Sequence, residues 1–301
     1  MVFPCHDATK LPRSNRGQFD VFYIPVRSVS RPVWEALPRT ETLVRVLGRF
    51  RRVMDLLVGD EVIALALPAV GNGPFHIVVG ALPSFEASEA RGMTLSWAGN
   101  VAHLGRWRLD FGASPALWNP CPDWGTLRLR EERLSALRAL AREAARACEA
   151  RSPFVALLLG ESMPQIAALE RALARQDTTD FQEAVAAIAG LGPGLTPAGD
   201  DFLAGVMVAS RLVKDAPYFD IPALIFEAAS ARTNRISRAF LRAAREGQVD
   251  ERWHRLLDAL AGPNSASLDP HTLEQRARAV LAFGASSGLD MLAGFLWFYA
   301  L

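Results

Sequence analysis

The chain has 301 residues, 50% of them apolar, with 33 lysines and arginines set against 32 aspartates and glutamates. A chain of this length buries roughly three quarters of its unfolded surface, enough for one large or two modest domains. The net charge of +1 gives neither nucleic acid nor an anionic membrane an electrostatic reason to bind.

Residue usage narrows the chemistry further. Lys10 and Lys214 are the only lysines, so a Gly-Lys-Ser/Thr phosphate loop is absent and a Schiff base has two possible positions. Cys5, Cys121 and Cys148 are widely spaced and odd in number, which argues against a disulfide framework or a CxxC metal site and points to the reducing cytoplasm. Met1 to Arg16 has no apolar stretch after a basic start, and Met291 to Leu301 is about half a membrane span, so neither a signal peptide nor a transmembrane helix is expected. His6, His76, His103, His254 and His271 show no HxH or HxxxH spacing, so no histidine-built zinc site is expected.

Alanine divides the chain: 12 in the first 125 residues, 36 in the other 176, while the first part holds five of the seven tryptophans. In chain order, Val21 to Val26, Val53 to Val58, Val62 to Leu67, Phe75 to Val79 and Met93 to Trp97 are short β-branched and aromatic runs. Turn residues at Gly59-Asp60, Gly71-Asn72-Gly73 and Gly99-Asn100 separate them. These predict a barrel-like or sandwich-like β domain. The segment from Ala116 to Gly125, with Trp118, Pro120, Pro122 and Trp124, reads as a connection that packs its aromatics. From about Arg130 the period becomes 3.6, with Leu134, Leu137, Leu140, Ala141, Ala144 and Cys148 on one stripe. Trp253, Leu256, Leu257 and Leu260 keep that spacing, as do Leu273, Ala277, Val280 and Leu281 after an Asp269 cap and Pro270. The fold class is therefore α+β, a β-rich domain over 1–125 followed by a mainly helical domain over 126–301.

The most informative stretch is Gly190-Leu-Gly192-Pro-Gly194-Leu-Thr196-Pro-Ala198-Gly199-Asp200-Asp201-Phe-Leu-Ala-Gly205. Thr196-Pro197 predicts a helix start with Thr as cap and Pro in the first turn. Glycines beside free N–H groups at a helix N-terminus suit a carboxylate or phosphate. Asp200 and Asp201 then either complement the helix dipole, or face the pocket and hold a cation, an arginine or a substrate N–H. Ser287-Gly-Leu289-Asp290-Met-Leu-Ala293-Gly294 repeats Ala198 to Gly205 as Gly-x-Asp-x-Leu-Ala-Gly, matching Asp290 to Asp201 and Leu289 to Asp200. Two helices that begin alike would cross at Ala204-Gly205 and Ala293-Gly294. Asp201 and Asp290 would be the architectural pair and Asp200 the carboxylate particular to one site.

Between the copies, Thr233 or Asn234 caps a helix that buries Ile236, Phe240 and Ala244. Arg232, Asn234, Ser237 and Arg238 form either an anion-binding cluster or a solvated face. Arg232 and Arg235 are the internal cations able to reconcile an anion with two carboxylates; Mg²⁺, held by Asp200, is the external alternative, and no cofactor is certain.

The Gly-rich segment, Arg232-Thr-Asn-Arg-Ile-Ser237 with Leu241 and Gly247, and Ser286-Ser-Gly-Leu-Asp-Met-Leu-Ala-Gly294 together resemble a bacterial family long called a domain of unknown function. It includes the AllH-like subunit of oxamate carbamoyltransferase, an enzyme of anaerobic allantoin breakdown, and the resemblance covers about residues 40 to 301. It implies transfer of a carbamoyl group between phosphate and an oxamate-like nitrogen, with partner subunits related to acyl-CoA synthetase-like proteins. The family usually has Ser where this chain has Ala198, and often His or another polar residue at Gly284-Ala285; those losses would weaken a hydrogen-bond network there but not the glycine backbone. The leading expectation is a subunit of such a complex that binds a small anionic metabolite at the Gly-rich loop. In it Asp200 and Asp201 are the catalytic candidates, and Gly192, Gly194, Thr196, Gly199, Arg232, Asn234, Ser237, Ser287 and Asp290 the ligand-binding ones. The alternatives are a noncatalytic binding or assembly module, or a stand-alone metal-dependent enzyme using the paired aspartates.

Overall fold

The computed structural model describes residues 21–80, 84–85, 93–149, 152–213, 219–262 and 270–301. The Asp269 cap falls outside these residues, as do Lys10 and Lys214. The first half contains β1 (Phe22–Ser30), α1 (Arg31–Ala36), β2 (Thr42–Arg49), β3 (Val53–Val58), β4 (Glu61–Ala66), β5 (His76–Val79), β6 (Met93–Ala98), β7 (Val101–Leu104), β8 (Trp107–Asp110) and β9 (Leu117–Trp118). The hydrogen-bonded order runs β5-β4-β3-β2-β6-β7-β8-β1, and β1 pairs again with β5, which closes an eight-stranded barrel. Of the two expected forms, the barrel is the one adopted. Closure rests on β1, whose Phe22 to Pro25 run parallel to β8 and whose Val26 to Val29 run antiparallel to β5. A register shift between Val26 and Ser28 bends the strand from one partner to the other. Inward side chains such as Ile24, Met54, Leu56, Leu65, Leu95 and Leu109 fill the interior.

The second half is helical: α2 (Glu131–Ala147), α3 (Pro153–Leu157), α4 (Pro164–Arg175), α5 (Thr178–Ile188), α6 (Ala198–Ser210), α7 (Ile221–Ala229), α8 (Arg235–Arg245), α9 (Glu251–Ala261), α10 (Pro270–Leu281) and α11 (Ser287–Phe298). The buried line of α2 is Leu134, Leu137, Ala141 and Ala145, so Ala145 takes the place that the stripe drawn from sequence gave to Ala144. Helices α6 and α11 form the centre, and every residue of α6 is buried, most of them apolar or small.

The seam between the barrel and the helices is polar at its rim and aromatic within. Asn72 accepts from Ser28 Oγ at 2.6 Å, and its backbone and side-chain N–H groups both donate to Glu251 at 3.0 Å. Arg242 of α8 forms a two-pronged ion pair with Glu61 of β4, and Phe75 meets Phe240 edge-on at 4.7 Å. Trp118 packs on His254, while Trp124 donates to the Gly247 carbonyl at 2.9 Å, so the connecting segment lies fixed against α8 and α9.

Candidate functional site

Close helix contact builds the site. Gly205 and Gly294 stand where α6 and α11 cross, and the contact is reciprocal. A Cβ on Gly205 would lie 2.8 Å from the Met291 carbonyl carbon, and one on Gly294 would lie 2.8 Å from that of Phe202. Met291 and Phe202 are themselves matching positions of the repeat, so the two copies are related by a local twofold. Gly199 and Gly288 match as well. Each lets its helix start press against a carbonyl of the preceding helix, that of Ile188 for one and Val280 for the other. The repeat therefore brings both helix starts to one place. Thr196 Oγ1 and Ser287 Oγ lie 3.0 Å apart, and Asp201 feels the charge of Asp290.

The loop ahead of α6 needs glycine at three points, because Gly190, Gly192 and Gly194 have φ of 76°, 100° and 114°. Gly192 to Leu195 are exposed. Pro197 occupies the cap position without a side-chain cap, and Thr196 turns instead to Ser287; the helix start expected at Thr196 is shifted because its hydroxyl has a better-placed partner across the crossing. The Gly199 N–H donates to the Leu191 carbonyl at 2.9 Å, and those of Asp200 and Asp201 reach the Pro197 carbonyl. That removes part of the free N–H set expected at the helix start.

Asp200 is buried and saturated. Its Oδ1 accepts from the Gly190 N–H at 2.9 Å, and its Oδ2 accepts from Ser237 Oγ at 2.6 Å and from Thr233 Oγ1. Asn234 caps α8 through Oδ1 and ties the loop down by donating from Nδ2 to the Leu195 carbonyl at 2.8 Å. Asn234 and Ser237 are thereby spent on the loop, and Arg232 reaches it through its backbone, its carbonyl lying against Gly190. The four-residue anion cluster expected here is thus divided. A helix turns about 100° per residue, so Ser237 faces the loop while Arg235 and Arg238 face away from it.

Asp201 and Asp290 differ from Asp200. Each is buried, and each has an Oδ2 without a hydrogen-bond partner. Burial pushes the Asp201 carboxyl well above the ordinary carboxylate range. The hydroxyls of Ser287 and Thr196 pull it down, and the charges of Asp290 and Asp200 push it further up. Burial likewise raises Asp290 to about 6, against the opposing pull of the Ser152 and Ser286 hydroxyls. Ser152 Oγ donates to Asp290 Oδ1 while accepting from the Phe154 N–H as the cap of α3. Ser152 is the site residue that the sequence reading passed over, although Ser152-Pro153 is a helix-start dipeptide of the same kind as Thr196-Pro197. The metal role assigned to Asp200 meets an occupied carboxylate, and among the described residues no three His, Cys, Asp or Glu side chains are grouped to hold an ion.

Residues 188–299, which carry both copies of the repeat and α8, match the family model described as oxamate carbamoyltransferase subunit AllH. The match begins at the last residue of α5 and excludes the barrel. No curated protein and no solved structure matches the chain significantly. Among the described residues no helix is long and apolar enough to cross a membrane.

Proposed function

Because residues 188–299 are AllH-like in sequence, we propose that the chain works as a subunit of a carbamoyltransferase assembly and binds a small acid of the oxamate or carbamoyl phosphate type where α6 and α11 begin. The observation that carries this reading is the pair of buried carboxyl oxygens without partners, Asp201 Oδ2 and Asp290 Oδ2. An unpaired buried polar group costs about 1–3 kcal/mol, so a ligand that pairs one gains that much. Both carboxyls are shifted toward the neutral form. A carboxyl shifted this way ionises less readily and donates its O–H when protonated, which lessens the repulsion between the two aspartates and an anion. The backbone N–H groups of Gly192, Gly194 and Leu195 in the exposed loop supply further donors.

An assembly module with no ligand accounts for Asp200, Asn234 and Ser237, whose polar atoms are satisfied internally, but leaves the two orphaned oxygens unexplained. Calorimetric titration with oxamate and with carbamoyl phosphate separates the readings: Asp201→Ala abolishes binding of both, since it removes the donor at Oδ2, while Asp201→Asn, whose amide N–H donates from the same place, retains it. Equal binding by wild type and Asp201→Ala would refute the site. The purified chain alone is expected to transfer no carbamoyl group from carbamoyl phosphate to oxamate; turnover without partners would refute the subunit assignment.

A further inference from the structure

The arginines that turn away from the Gly-rich loop meet the barrel. Arg235, Arg238 and Arg242 are spaced i, i+3 and i+7 on α8 and so share one face. They line a shallow cavity of about 120 Å³ against the β3–β4 hairpin, where Leu57, Asp60 and Val62 form the opposite wall. A second cavity of about 190 Å³ adjoins it, sharing Val62, Ala239 and Arg242. The Arg242–Glu61 ion pair stands at this shared wall.

Charge is unevenly matched between the two. The second cavity sets Arg242 against Glu61 and Glu246. The first sets three guanidinium groups against Asp60 alone. Arg242 is committed to Glu61, and Arg238 uses only its Nε, donating to the Ser230 carbonyl at 2.7 Å. Neither Arg235 nor Arg238 forms an ion pair among the described residues. Two guanidinium forks one helical turn apart, open toward a small concavity, match the oxygens of a tetrahedral dianion. The cavity is far below the roughly 300–1,000 Å³ of pockets that enclose drug-sized ligands, which limits the occupant to a small ion or the terminal phosphate of a larger one.

We propose that this seam between the barrel and α8 is a binding site for a phosphate-type dianion, separate from the Asp201–Asp290 site, with Arg235 and Arg238 as its principal ligands and Asp60 as their competitor. The position has a mechanical consequence. The same helix that faces the seam with Arg235 and Arg238 holds the Gly-rich loop with Asn234 and Ser237. An anion that fixes α8 against the hairpin steadies the loop from behind.

Calorimetric titration and thermal unfolding with inorganic phosphate, at ionic strength matched with chloride, test this on the full chain. Wild type is expected to bind phosphate and to gain thermal stability from it. Arg235→Gln with Arg238→Gln is expected to weaken binding by about tenfold or more, each lost charge-assisted contact contributing, with an unchanged melting temperature in chloride. Asp60→Asn is expected to tighten binding, a sign that a nonspecific loss of structure does not produce. Asp201→Ala is expected to leave phosphate binding at the seam intact, so failure of this site and failure of the oxamate site are distinguishable. Absence of phosphate binding by wild type, equal binding by the double arginine variant, or weaker binding by Asp60→Asn would each overturn the proposal. Titration with a phosphate monoester distinguishes a free ion from a larger phosphorylated ligand.

Discussion

Replacing Gly205 with alanine tests the reciprocal crossing of α6 and α11. The added Cβ would stand 2.8 Å from both the Met291 carbonyl carbon and the Phe295 nitrogen, and closer still to the Met291 oxygen. Nonbonded carbon contacts relax at about 3.5–4.0 Å, so the helices must part by about 1 Å. The opposing atoms are backbone and cannot rotate aside. Overpacking costs about 1–3 kcal/mol, and rigid backbone places this case at the upper end. Alanine's better helix propensity returns up to about 1 kcal/mol, leaving a net loss of about 2 kcal/mol. For a domain of this size that lowers the melting temperature by about 4–8 °C. Gly294→Ala meets Phe202 in the same way and is expected to cost a similar amount. One separation of the helices serves both methyl groups, so the double variant should lose about 1 kcal/mol less than the two singles added. Thermal unfolding of the four proteins, followed by circular dichroism, measures the cycle. A neutral or stabilising Gly205→Ala, or full additivity, would show that the helices do not meet glycine to glycine.

Two further expectations concern the buried acids. Asp290 titrates at about 6 in the fold against an ordinary 3.8. It stays protonated in the native state while the unfolded chain ionises, so the stability it contributes is complete below about pH 4, falls as pH rises to about 6, and is flat above. The span is on the order of 3 kcal/mol. Asp55, buried in the barrel and also raised to about 6, acts in the same window, so Asp290→Asn should make the decline in melting temperature between pH 4 and 7 shallower without abolishing it; an unchanged slope would refute the assignment. Asp200→Asn should destabilise by about 2 kcal/mol, because an amide cannot accept from Gly190, Thr233 and Ser237 together, and a stability equal to wild type in urea titration would remove Asp200 from the scaffold.

What the sequence made legible depended on how local the cause was. β3 and β4 were readable because Val53 to Val58, broken only by Asp55, and Val62 to Leu67 are apolar runs flanking Gly59-Asp60, a turn that needs no distant partner. β7 and β8 were not, since four residues carrying His103 or Arg108 alternate too briefly to stand out, and they are strands because they pair with each other and with β6 and β1. The helix crossing was readable because small residues at matching depth in two copies have a common packing cause. The division of labour among the aspartates was not. Periodicity gives the direction in which Asp200 points, but its partners Thr233 and Ser237 lie 33 and 37 residues away, and only the fold shows that Asp200 is satisfied while Asp201 and Asp290 are not.

The two copies of the repeat depart from symmetry at two points. Packing accounts for what they share: Gly199 and Gly288 admit the preceding helix, Gly205 and Gly294 admit each other's helix, and both sets are required by backbone contact. Packing does not account for the differences. From the contacted carbonyl to the first glycine is 11 residues in one copy, 188 to 199, and 8 in the other, 280 to 288, so the first copy has three additional residues. That copy also has Asp200 where the second has Leu289, which is buried in the apolar core. The two differences form one device, because Asp200 accepts from Gly190 at the base of the longer loop. The loop exposes Gly192 to Leu195 and sets Thr196 against Ser287 above Asp201. A duplication kept only for close helix packing has no use for a longer loop or for the buried carboxylate that holds it. The acid site proposed above, which takes donors from this loop beside the buried Asp201, has use for both.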